Sequence, residues 1–81
     1  MADRSSRPEI RNPVLALPEV REALETLSPE ARRGLAIFLR AIAADARHRA
    51  QKSWRQNKGP MALYWKVVGV YAGHLYRAVR P

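Results

Sequence analysis

Six cations fall within the twenty residues from Arg47 to Lys66, and no acid accompanies them: Arg47, Arg49, Lys52, Arg55, Lys58 and Lys66. Trp54 and the pair Tyr64-Trp65 are interleaved with these charges, and Asn57-Lys58-Gly59-Pro60 divides the stretch. Cations near phosphates displace condensed counterions, and flat rings stack on unpaired bases. The same combination also suits an acidic protein surface. The candidate binding residues are therefore Arg47, Arg49, Lys52, Trp54, Arg55, Lys58 and Lys66, with Trp54 as the anchor. Trp65, inside an apolar run, is expected in the core. The plainer alternative is a solvated basic face with Trp54 also packed inside.

Other chemistries lack the residues they need. The chain has two histidines, His48 and His74, and no cysteine. Asp45 and His48, three apart, make at most half a ligand set, whereas a structural zinc site takes about four donors. Asp45 is better spaced to pair with Arg49 at i, i+4. No metal or other cofactor is expected. There is no Gly-rich phosphate loop and no glutamate after Glu30. The serines at 5, 6, 28 and 53 have no base and orienting acid at a workable spacing. The expectation is a binding protein and not an enzyme. A helix-turn-helix would need its turn at Leu27–Glu30 or Asn57–Pro60. The helix after the second turn opens with apolar Met61-Ala62-Leu63-Tyr64-Trp65, and the other opens with Glu30, which would face phosphate. Both features argue against sequence-specific groove reading.

Charge is unevenly distributed along the 81 residues. The total is +8, but residues 1–30 hold four arginines against six acids, a net of −2. Residues 31–81 hold eleven Lys or Arg against Asp45 alone, a net of +10. Arginine outnumbers lysine twelve to three, which favours forked contacts to phosphate or carboxylate. Residues 1–13 are charged and carry no apolar run, so no secretory signal is expected. The longest apolar-rich stretch, Met61 to Tyr76, is broken by Lys66 and His74 and falls short of the ~20 residues of a membrane span. The chain is read as soluble and cytoplasmic.

The elements that must hold these side chains are helices. The fold expected is all-α, a compact three-helix domain over residues 18–81 with helices at about 18–27, 29–56 and 60–80. Residues 1–17 form a flexible arm and an extended lead-in, because Pro8 and Pro13 interrupt a polar stretch. Pro18 suits a first helical position, and Leu17, Val20, Leu24 and Leu27 line one stripe. Ser28-Pro29-Glu30 reads as cap, first turn and dipole partner for the second helix. Its core stripe is expected to be Leu35, Phe38, Leu39, Ile42 and Ala46, widened by Ile37 and Ala41. Arg33, Arg40 and Arg47 recur every seven residues on a solvent face. Gly59 is expected as a left-handed C-cap, with Pro60 opening the third helix. That helix carries the stripe Met61, Tyr64, Val68, Tyr71, Leu75 and Val79, and Gly69 and Gly73 make a smooth patch for a close neighbour. Val67, Val68 and Val70 beside glycines are weak helix formers, so strands near 62–72 are the competing reading.

The segment KSWRQNKGPMALYWKVVGVYAGHLYRAVR, residues 52–80, resembles small accessory proteins encoded by phages and prophages. Within that setting the chain is similar in size and layout to anti-CRISPR proteins. The resemblance implies a compact inhibitor of a CRISPR effector complex or other nucleoprotein, working inside a bacterial host cell. Many anti-CRISPR proteins are acidic DNA mimics, and this basic chain departs from that pattern. It would instead grip an acidic protein surface, guide RNA or DNA and block target DNA binding. Two other readings stay open: a small DNA-binding accessory or regulatory protein, and a helical module that self-associates through Gly69 and Gly73. A monomer or a weak homodimer is expected.

Overall fold

The computed structural model describes residues 13–81, so most of the expected N-terminal arm lies outside the described residues. Pro13–Ala16 form a 3-10 turn in place of the extended lead-in, and Leu15 within it is buried. Three helices follow: α1 (Pro18–Thr26), α2 (Pro29–Arg55) and α3 (Gly59–Val79). No strand occurs among the described residues, and the Val67–Val70 region is helical throughout. None of these helices is long and apolar enough to cross a membrane.

The boundaries have local causes. Leu17 and Ser28 each precede a proline, whose ring disfavours helical backbone in the residue before it, and both are extended with ψ near 128 and 158. Two helices therefore start at Pro18 and Pro29. The Ser28 hydroxyl accepts a hydrogen bond from the Ala31 amide at 3.1 Å and caps α2. The turn after α2 differs from expectation: Asn57, with φ 58, takes the left-handed conformation. The Asn57 amide donates to the Trp54 carbonyl at 3.0 Å, and the Lys58 amide donates to the Ser53 carbonyl at 2.8 Å. That pair of bonds is a Schellman ending, with Asn57 where glycine is more usual. Gly59 becomes the first residue of α3.

Helices α2 and α3 pack antiparallel along their length and carry most of the tertiary contact. The seam between them is made of small side chains: Ala36, Ala43 and Ala46 face Ala62, Gly69 and Ala72, with Val79 at the far end. Ala46 is 0% exposed, and a methyl placed on Gly69 would sit 3.5 Å from its Cβ and 3.7 Å from the Ala43 carbonyl oxygen. Small residues let two backbones approach to the short end of the usual range, about 8 Å between axes. This close approach displaces the large side chains from the centre. Leu35, Ile37 and Phe38, expected in the core of α2, are exposed, and so are Met61, Tyr64 and Tyr71 of the stripe expected for α3. Gly69 does receive a close neighbour as expected, but that neighbour is α2 of the same chain. Among the described residues nothing approaches Gly73 within 4 Å of where a Cβ would sit.

Helix α1 buries no residue fully and packs on the 3-10 turn. Five of the seven fully buried apolar residues among those described are alanines. Each adds only about one methyl of burial, near 0.8 kcal/mol, so the core is thin and its fit matters more than its volume.

Candidate nucleic-acid interface

Antiparallel packing gives the α2–α3 hairpin two flanks. Ala46 lies against Gly69, Ala50 shares a groove with Ala62, and Ala36 shares one with Tyr76. Positions that rise along α2 therefore fall along α3, and each residue's flank follows from its place around the seam.

This geometry divides the residues singled out from sequence. Trp54, Arg55 and Lys66 come together at the loop end of one flank. They line a groove of about 730 Å³ with Ala50, Gln51, Gly59, Ala62 and Leu63. Trp54 is 72% exposed, so it is not a core residue. Arg47 belongs to the same flank, its Cγ lying 3.8 Å from the position of a Gly69 Cβ. Arg49, Lys52 and Lys58 fall on the other flank, around a smaller groove shared with Ser53, Met61 and Trp65.

Arg49 is already engaged. Its Nε donates to Asp45 Oδ2 at 2.7 Å, the pairing expected from their spacing, and its guanidinium sits over the Trp65 ring at 5.0 Å. Trp65 is half-buried beneath it and meets Tyr64 edge to face, with ring centroids 5.1 Å apart. Asp45 already offsets part of the Arg49 charge, which makes Arg49 a weaker phosphate ligand than an arginine with no acid beside it. Asp45 and His48 gather no third donor, and no cluster of three metal-ligating side chains occurs among the described residues.

Four cations outside the 47–66 stretch join the Arg47 flank. Arg33 and Arg40 share a groove with Tyr76 and Arg80 at the open end of the hairpin, and Arg80 also sits over the Tyr76 ring at 5.8 Å. Arg77 follows Lys66 by eleven residues, about three turns, on the same side of α3. The seven-residue recurrence of Arg33, Arg40 and Arg47 was visible in the sequence. Their alignment with Lys66, Arg77 and Arg80 depends on the antiparallel register, which no local pattern reveals.

The glutamates of α1 form no ion pair with a described residue of this flank. Between Lys or Arg and an acid, the ion pair seen among the described residues is Asp45–Arg49. From Pro29 onward the chain holds just two acids, Glu30 and Asp45. Cations therefore outnumber acids along the Arg47 flank, which favours polyanions and speeds their encounter. Comparison with family models, with curated proteins and with solved structures finds no match, so function has to be argued from this geometry.

Proposed function

We propose that this is a non-enzymatic binding protein that engages nucleic acid, free or held within a nucleoprotein, through the flank bearing Arg47, Trp54, Arg55 and Lys66. The observation that carries the reading is the Trp54 groove: an indole 72% exposed to solvent, with Arg55 and Lys66 among the residues lining the same recess. Leaving so large an apolar ring in water forgoes its burial, and a base stacked on it recovers that burial. Cations in the same recess hold the adjoining phosphates. In its sharpest form the nucleoprotein is a CRISPR effector, and the bound protein blocks target DNA from loading.

The test is fluorescence titration of the Trp65→Phe variant, which leaves Trp54 as the sole indole. Oligonucleotide should quench its emission at low salt, and the signal should recover as salt rises. A folded protein whose Trp54 emission ignores single-stranded and duplex DNA and RNA alike at low salt would remove direct nucleic-acid contact. A CRISPR effector that retains its DNA binding in excess of this protein would remove the inhibitor form.

A further inference from the structure

We infer that the basic flank is a track for one single strand of nucleic acid that runs the length of the hairpin and ends on Trp54. This rests on the proposed function and adds the strandedness, path and extent of the ligand.

The register supplies the path. Arg33 shares a groove with Arg80, and Arg47 lies over Gly69. Carried along the hairpin, this register sets Arg40 across from Gly73 and Arg47 across from Lys66. Two rows of cations thus border the line where α2 and α3 meet. Within α2 the arginines are seven residues apart, about 10 Å, and Arg33 to Trp54 spans roughly 30 Å. That length holds about nine nucleotides stacked at 3.4 Å each, or fewer if the strand is drawn out.

The width selects a single strand. The small-residue seam sets the helix axes about 8 Å apart, so a phosphodiester backbone between the two rows is within reach of both. Duplex DNA fits poorly. Its major groove, about 12 Å wide, admits one helix, whereas two helices side by side measure roughly 20 Å across. Trp54 makes the same choice, because bases inside a duplex have both faces covered by their neighbours, whereas a base of a single strand is free to stack on an exposed indole. Gly73 leaves the floor open midway: among the described residues nothing lies within 4 Å of where its Cβ would sit. Between Arg33 and Lys66 the chain has one acid, Asp45, and Arg49 holds it on the opposite flank.

The experiment is fluorescence anisotropy of labelled oligothymidine and of a matched duplex, titrated with the intact protein at several salt concentrations. Single strand should bind at least about tenfold more tightly than duplex of equal length. The double change Arg33→Gln and Arg80→Gln, far from Trp54, should flatten the salt slope by about 0.7 for each lost contact. The double change Lys52→Gln and Lys58→Gln on the other flank should leave the slope as it was. Gly73→Leu alters no charge and replaces a poor helix former with a good one, so the fold should persist while single-strand affinity falls about tenfold or more. Tighter duplex binding overturns the inference, as does an unchanged slope without Arg33 and Arg80, or an equal loss from the Lys52/Lys58 variant. If those results come with Trp54 still quenched, the loop-end groove stands and only the track falls. No binding of any oligonucleotide would sink both readings and leave an acidic protein surface as the partner.

Discussion

The two flanks of the hairpin are built from the same two helices around the same alanine seam, yet they present opposite chemistry. One flank carries Arg33, Arg40, Arg47, Arg55, Lys66, Arg77 and Arg80, with Ile37, Trp54 and Val70 set among them. The other carries Phe38, Ile42, Val68 and Tyr71, and its charges are the closed Asp45–Arg49 pair and two lysines at the loop end. The difference comes from spacing. Arginines seven apart drift only slowly around a helix and hold one side for several turns, and the larger apolar residues at three- and four-residue steps hold the other. A surplus of positive charge is gathered on one side, which raises its self-repulsion and leaves that side in need of an anionic partner. A narrow seam is what makes this possible, because it leaves most of each helix surface free to carry function.

The sharpest way to break the contrast is to reverse the same amount of charge on each flank. Arg33→Glu, Arg40→Glu and Arg47→Glu together should lower oligonucleotide affinity at least about a hundredfold at low salt, through lost phosphate contacts and added repulsion. Arg49→Glu, Lys52→Glu and Lys58→Glu together make the identical change in net charge and should cost far less. Equal losses in the two variants, measured by anisotropy, would mean that bulk charge and not the flank is recognised. Next comes the seam that both flanks share. Ala46→Leu forces extra methylenes into a site with no exposure and should cost about 1–3 kcal/mol in urea unfolding, weakening binding only as the fold is lost. Ser28→Ala removes the hydroxyl that caps α2 and should cost about 1 kcal/mol. Phe38→Ser lies on the apolar flank, where the ring is 60% exposed, and should shift stability by less than about 1 kcal/mol without touching nucleic-acid affinity. A loss of several kcal/mol there would show that the apolar flank is part of the core after all.

Helix count, helix ends and the Ser28 cap were legible in the sequence because proline and serine act on their immediate neighbours. The seam was not. A reading by hydrophobic periodicity follows the largest residues, so it placed Leu35, Phe38, Met61 and Tyr64 inside. Helices that meet over Ala46 and Gly69 bury the smallest residues and push the largest outward. Asn57 escaped for a related reason: glycine is the usual left-handed residue after a helix, and Gly59, two residues further on, drew the assignment. Half of the candidate site was legible in the same sense. Trp54, Arg55 and Lys66 do converge, but Arg49 and Lys52, equally cationic and equally near in sequence, turn to the opposite flank. The partners of Arg47 at the far end, Arg33 and Arg80, are 47 positions apart and meet only once the hairpin closes.

The most direct measurement is an NMR titration of the isotope-labelled protein with oligothymidine, followed at backbone amides and the two indole N–H groups. The shifts should gather on Arg33, Arg40, Arg47, Gln51, Lys66, Gly73 and Arg80 and include the Trp54 indole, while Phe38, Val68 and Tyr71 stay still. Shifts centred on Phe38, Tyr64 and Val68, or a folded protein with no shifts at all, would contradict the assignment of the basic flank as the binding surface.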